Sequence, residues 1–427
     1  MTTNPAASPA IASSAIANSA IEFVLQLARA LHRYGTPAHR LEEALLECCR
    51  RLGLKAEVFT TPTTIIMSFG EPGELRTRMM RVEGGELDME KLARVDALAD
   101  DVASLRLAPG DGVRALAEIL AAPRRFGRAL STLSHGMTAG SLAVFIGGSL
   151  ADVAVAALVG LSVGLLAQVA QRSTDQARVF ELVGAAFAAF AAVVASAAWS
   201  AITPSIVTVS ALLTLLPGLS LTVAMTELAT RNLMSGTARL MSAVIVLLEL
   251  VVGVALGEKI ATALVTVHQA IPAPLPEWSR WAALGVSALG VAIVVQAQPR
   301  AFGWIIAACV LSYLGTRAGT AWLAGASGGD SKLSALGAQL GVLVGALALG
   351  VLSNLYARLL GRPAQVVSVP AMLLLVPGSM GFRGMASLLD RDTLTGVESV
   401  FAMFVVALAI VAGLLVANAI VSPRRSL

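Results

Sequence analysis

The sequence predicts a polytopic α-helical membrane protein: about ten transmembrane helices in two inverted-topology repeats of five, preceded by a small cytoplasmic α/β domain. Three observations predict it. Charged residues form only 14% of the 427-residue chain, against 56% hydrophobic and a mean hydropathy of +0.77; a soluble protein carries about 25% charged residues. The polar residues are also unevenly placed, concentrated before Arg128 and sparse after it. Finally, one broken apolar segment occurs twice. Leu212-Leu-Thr-Leu-Leu-Pro217-Gly218 is matched by Met372-Leu-Leu-Leu-Val-Pro377-Gly378, and at the same offset of 160 Leu228, Arg231 and Gly236 recur as Leu388, Arg391 and Gly396.

From the N-terminus, residues 1–20 are Ala- and Ser-rich and lack Lys and Arg, so they read as a disordered tail and not as a signal peptide. Residues 21–128 form the α/β domain. Ile21–Tyr34 is an amphipathic helix stopped near Gly35. Pro37 opens a second helix that runs to Arg51, with Leu41, Ala44, Leu45 and Cys48 at helical spacing, and Gly53 ends it. Ala56–Thr61 and Thr64–Phe69 alternate and are β-branched, which predicts a hairpin turned near Pro62. Arg76–Val82 reads as a third strand. Helices follow at Asp88–Ser104 and Gly110–Ala122.

Spans of the ~20 residues that a bilayer requires are then expected at 131–150, 152–171, 179–199, 205–228 and 238–257, inside a first repeat covering 129–258. A second repeat, 279–421, holds 279–297, 301–321, 333–356, 365–386 and 397–421. Basic residues collect on alternate connections: Arg124, Arg125 and Arg128; Arg172 and Arg178; Arg231 and Arg239; Arg300; Arg358 and Arg362; Arg424 and Arg425, the exceptions being Lys259, Arg280, Lys332, Arg383 and Arg391. By the positive-inside rule these connections, the N-terminal domain and both chain ends lie in the cytoplasm. The fourth and ninth spans are five apart, so they cross in opposite directions. That is the inverted repeat from which alternating access is commonly built.

Proline removes an amide donor and glycine loosens the backbone, and open backbone at membrane depth persists only where protein or a wet cavity satisfies it. Pro217, Gly218, Pro377 and Gly378 are therefore the leading candidates for a binding site, with Ser220, Thr222 and Ser379 just beyond them. Serine and threonine there also have a plainer use, bonding their own helix backbone. Ionisable groups inside spans are costly and suspect. Glu249, mid-span, and His135 are candidates for proton coupling. Glu227 is a further candidate, with Arg231 one turn on as its expected partner. Asp152 is a candidate polar contributor or a helix cap. In the N-terminal domain Arg40 and Glu42, with His39, Glu43 and Thr61–Thr64 near them, leave a rival reading open: a membrane-anchored enzyme or a ligand sensor. Three cysteines give no disulfide framework. There is no metal motif, Walker loop, nucleophile elbow or basic-aromatic patch for nucleic acid, and no cofactor is called for.

Gly35-Thr-Pro-Ala-His-Arg40-Leu-Glu42, Thr61-Pro-Thr-Thr-Ile-Ile66, Gly147-Gly-Ser-Leu-Ala-Asp152 and the two Leu/Val-Pro-Gly segments, in that order and spacing, resemble the threonine/serine exporter family over nearly the whole chain. The resemblance implies a non-enzymatic, proton-coupled efflux carrier for L-threonine and L-serine in the bacterial inner membrane. Its partners would be the amino acid, protons and the lipid bilayer. It also implies that Pro217-Gly218 and Pro377-Gly378 line a central site to which Asp152 contributes. The residues leave a homo-oligomer open.

Overall fold

The computed structural model describes residues 9–71, 73–85, 87–266, 273–326, 331–375, 378–389 and 392–423. Helix α1 (Pro9–Arg33) starts well before Ile21 and takes the place of the tail expected over residues 9–20. Composition explains the difference: this stretch is Ala-rich, alanine is the best helix former, and proline suits a first helical turn. Gly35, at φ +83°, turns the chain out of α1. Helix α2 (Ala38–Arg51) buries Leu41, Leu45 and Cys48 on one stripe. Strands β1 (Ala56–Thr60) and β2 (Thr64–Phe69) pair antiparallel with Thr60 opposite Ile65, and β3 (Arg76–Arg81) adds to the other side of β2. Ile65, Met67 and Phe69 alternate inward, as one covered sheet face requires. Asp88 caps α3 (Met89–Ala103) through the Lys91 amide at 2.8 Å, and α4 (Pro109–Ala121) packs on α1 and α3.

The apolar part begins with α5 (Arg128–Ile146) and α6 (Leu150–Ala170), a hairpin folded at Gly147 with φ +92°. A short α7 (Thr174–Arg178) leads into α8 (Phe180–Ala198). Next come α9 (Pro204–Ala211), α10 (Gly218–Ala229) and α11 (Leu233–Leu264). Then follow α12 (Ser279–Val294), α13 (Phe302–Ala326), α14 (Ser331–Leu360), α15 (Gln365–Leu375), α16 (Gly378–Leu389) and α17 (Thr393–Ile420). Among the described residues eight segments are long and apolar enough to cross a bilayer: α5, α6, α8, α11, α13, α14, α15 with α16, and α17. Helices α10 and α12 are apolar but shorter. Leu158, Leu165, Phe401 and Leu408 stand exposed on these helices, surfaces suited to lipid and not to water. The chain is a polytopic, mostly helical membrane protein.

Small residues set the helix spacing. A Cβ placed on Gly257 of α11 would lie 2.1 Å from the Ala186 carbonyl of α8, and one on Gly345 of α14 only 2.2 Å from Thr316 Oγ1 of α13. Close backbone approach of this kind replaces the hydrophobic drive that lipid cannot supply.

The core of the N-terminal part does not stop at residue 128. Leu92, Val95 and Leu116 belong to one cluster with Leu284, Val291, Val295, Ile305, Val366 and Met372. Backbone bonds reinforce the join: Met89 N–H donates to the Val295 carbonyl at 2.9 Å, and Phe126 N–H to Gln296 Oε1 at 2.9 Å.

Candidate functional site

The first Pro-Gly pair sits at the end of a longer irregular stretch. Helix α9 stops at Ala211, and residues 212–217 run as turns, with Leu216 N–H on the Leu212 carbonyl, before α10 begins at Gly218. Pro217 lacks the amide that would continue the ladder. The second break separates α15, ending at Leu375, from α16, beginning at Gly378; Pro377 lies outside the described residues. The two breaks meet. A Cβ on Gly378 would lie 3.1 Å from Leu216 Cβ and 3.4 Å from both N and Cα of Gly218. Beside that contact is a cavity of about 270 Å³ with Gly218, Leu219, Gly378 and Ser379 on its wall.

Helices α12 and α13 complete the wall with Ser287, Cys309, Ser312, Tyr313 and Thr316, and Leu142 and Phe145 of α5 supply apolar surface. Ser312 Oγ and Thr316 Oγ1 are buried with no hydrogen-bond partner among the described residues. Leaving such a hydroxyl unpaired costs about 1–3 kcal/mol, so these two are suited to a polar guest. The first turn of α10 adds amides that no preceding turn can satisfy, at the positive end of the helix dipole.

Of the residues expected at the site, Gly218, Gly378 and Ser379 line this cavity, and Pro217 is buried at the N-cap of α10. Ser220 is half-buried and off the wall. Thr222 Oγ1 donates to its own helix at the Gly218 carbonyl, 3.2 Å away. Asp152 is fully buried elsewhere. Its carboxylate accepts Ser149 N–H and Oγ–H at 2.8 Å each and Thr203 N–H at 2.7 Å, tying the start of α6 to the start of α9. His135 Nδ1 lies 2.8 Å from the Ser131 carbonyl, and its ring packs against Gly164 of α6. Glu249 is half-buried on α11, an electrostatic neighbour of Glu181 on α8, and does not line the cavity.

Glu227 does not pair with Arg231, which sits at φ +65° in the turn between α10 and α11. Its partner is Arg239, with Nε–Oε2 at 3.1 Å and Nη2–Oε1 at 3.2 Å, and Oε1 also accepts Ala38 N–H from the start of α2 at 3.0 Å. With 0% exposure, Glu227 joins the helix that begins at the first break to the N-terminal part. His39 lies near it, its pKa pushed down to about 4 by burial first and by Arg40 next, with Glu227 opposing. His32 is lowered too, by burial and then by Arg239. Glu42 holds β1 by accepting Thr60 N–H at 2.7 Å and Thr60 Oγ–H at 2.9 Å. Arg40 lines a second cavity of about 510 Å³. Burial pushes the Cys48 and Cys49 thiols up to about 12, which leaves them inert packing groups. Among the described residues no His/Cys/Asp/Glu group could hold a metal ion.

Residues 22–261 match a family described as "Putative threonine/serine exporter", and residues 283–420 one described as "Threonine/Serine exporter, ThrE". The chain belongs to the threonine/serine exporter family. Curated relatives include pheromone-regulated membrane protein 10 of Eremothecium gossypii, 26% identical over 84% of this chain and 48% of that protein. The Saccharomyces cerevisiae protein of that name is 26% identical over 88% and 48%, and the Candida albicans one 27% over 88% and 34%. The chain thus spans about half the length, or less, of these relatives. No solved structure matches it.

Within this exporter-family chain, sequence reasoning missed Ser287, Ser312 and Thr316. A signal was present: Ser312 and Thr316 stand four apart on one face of an apolar helix, with Cys309 a turn before. The Pro-Gly breaks drew attention away from the unbroken helix beside them. Arg317, on the same helix, is exposed and lies over the Tyr313 ring at 5.9 Å.

Proposed function

We propose that the chain is a secondary active carrier, not an enzyme, that exports small neutral amino acids, L-threonine and L-serine, by alternating access around its two helix breaks. The observation that carries this reading is the contact of Gly218 with Gly378 on the wall of one cavity. The chemistry suits a zwitterion. Amides at the start of α10 attract a carboxylate, while carbonyls of residues 213–216 and the hydroxyls of Ser312 and Thr316 accept from an ammonium.

The architecture that goes with this reading is ten spans in two inverted repeats, 129–258 and 279–421, after a tail (residues 1–20) and a cytoplasmic α/β domain (residues 21–128). Recurrent packing supports it: α8 on α11 and α10 on α11 have counterparts in α14 on α17 and α16 on α17. The turns after α10 and α16 also agree. Asn232 N–H bonds the Glu227 carbonyl as Asp392 N–H bonds that of Ser387, and Gly236 and Gly396 each press on a leucine, Leu228 and Leu388. In this topology the exposed Trp199, Trp278 and Trp322 fall on the side opposite the N-terminal domain, as an interfacial belt would. Both termini are then cytoplasmic and the membrane is the bacterial inner membrane. Proton coupling falls to Glu249 with its neighbour Glu181, and His135 is the alternative carrier.

Purified protein in liposomes preloaded with radiolabelled L-threonine or L-serine, under an imposed pH gradient, tests the reading. Gradient-dependent efflux is expected. Efflux of neither amino acid from verified, folded protein would remove the substrate assignment. Unchanged proton dependence in Glu249→Gln would remove that residue from coupling.

A further inference from the structure

Arg40 takes no part in the site at the helix breaks, yet its surroundings are those of a binding group. It lies on the wall of the cavity of about 510 Å³, where α2 and α3 face the connection from α14 to α15. Its guanidinium makes no hydrogen bond among the described residues; its electrostatic neighbour is Glu43, three positions on, on the same helix face and the same wall. Glu43 likewise makes no hydrogen bond among the described residues. Arg40 is partly buried and Glu43 exposed at the rim, and burial pulls the Arg40 pKa down.

The other charged groups on that wall are engaged. Glu47 accepts from Arg50 Nη2 at 2.7 Å and Arg51 Nε at 2.8 Å, Arg362 donates to Gln298 Oε1, and Asp96 has a partner of its own. What remains open is one cation and one anion about a helical turn apart, with Ala44, Leu92 and Ala364 as apolar surface around them. A simple anion there would meet the repulsion of Glu43, and a simple cation that of Arg40. A dipolar molecule satisfies both.

We propose that this junction cavity binds a small zwitterion of the α-amino-acid type, its carboxylate on Arg40 and its ammonium on Glu43, at a site separate from the one at the helix breaks. The two cavities share no lining residue. The choice of an amino acid among zwitterions rests on the exporter reading; the requirement for both charges does not. One wall, residues 362–365, leads directly into α15, the helix that ends at the second break. Occupancy therefore bears on the helix that leads up to the second break, just before Gly378, and the N-terminal part becomes a sensor of the cargo that the membrane part moves.

Equilibrium dialysis of the full-length protein in detergent against radiolabelled L-threonine tests this. Two bound equivalents per chain are expected. Arg40→Gln and Glu43→Gln should each abolish one, and Gly378→Leu the other. In the Gly378→Leu background, threonine methyl ester and N-acetylthreonine should each compete about tenfold or more weakly than threonine, since each lacks one charge-assisted contact. Should the charge variants fail to fold, Ala44→Phe, which fills the cavity and keeps both charges, must abolish the same equivalent. Wild-type stoichiometry in Arg40→Gln and Glu43→Gln, or in Ala44→Phe, overturns the proposal, as does the absence of any equivalent in the Gly378→Leu protein. Liposome efflux is scored separately. Efflux with no Arg40-dependent binding sinks this site and leaves the carrier; Arg40-dependent binding with no efflux does the reverse.

Discussion

A side chain on Gly378 would meet Leu216 and Gly218 before it met anything else. Gly378→Leu is therefore expected to part the two breaks and abolish efflux while the protein still inserts; wild-type efflux would show that the contact is not used. Glu227 makes a different demand. Removing one partner from a buried ion pair typically costs about 3–5 kcal/mol, and Arg239 is the partly exposed member, so Glu227→Ala should fall near the low end. A lowered thermal midpoint in detergent checks it, with Glu227→Gln, which can still accept the Ala38 amide, less affected. His39 adds a pH dependence. Its folded pKa of about 4 lies below the ~6.5 of an unfolded histidine, so the unfolded chain binds more protons between those values. Stability should decline as pH falls from about 6.5 to about 4 and change little from this source outside that window. His39→Gln should flatten part of the slope in a midpoint-against-pH series; His32, shifted the same way, supplies another part. Of these residues the sequence marked the glycine clearly, because Pro-Gly inside an apolar run has few other uses. It could not mark Arg239 as the partner of Glu227. That pairing depends on how α11 returns beside α10, and Arg231, at helical spacing, was taken out of reach by its left-handed backbone.

Helices here are spaced by glycine, and the tightest contacts predict where substitution fails. Gly257→Leu should prevent α8 and α11 from closing, since even a Cβ would overlap the Ala186 carbonyl. Loss of monodisperse protein after extraction is the expected result. Gly285→Ala, with nothing within 4 Å of the added carbon, should extract like wild type. Element boundaries were widely legible because bilayer length and helical period are strong constraints. The hairpin around Pro62 and the break at Gly218 fall where the sequence put them, while α5 ends a few residues earlier than its expected span, at Ile146. The repeated turn was legible for a sharper reason: the matched Leu228–Gly236 and Leu388–Gly396 pairs are packing contacts, and packing restricts residue choice. The unwinding of residues 212–217 was not legible. Leucine favours helix in isolation, and only surrounding protein keeps those residues out of it.

On the scale of the whole molecule, the change of polarity at Arg128 set off an N-terminal α/β domain over residues 21–128, and the packing joins its core to the helices that follow. Val95 and Leu116 share a core with Val291, Ile305 and Val366, so cutting the chain after residue 128 exposes apolar surface that α12, α13 and α15 cover. The isolated fragment is expected to bind a hydrophobic dye and self-associate; a monodisperse fragment that leaves the dye dark would show a self-sufficient core. The sequence hid this because hydropathy records how apolar a residue is and not which neighbour covers it.

That shared core also sets an order in time. The N-terminal part leaves the ribosome first, but the residues that complete its interior, from Leu284 to Met372, come much later. At ~5–20 residues per second the wait is on the order of ten seconds to a minute. Throughout that interval an unfinished apolar face stands uncovered while the membrane helices are still being threaded. A chain stalled before α12 is synthesised would be a substrate for quality control before its shared core could close.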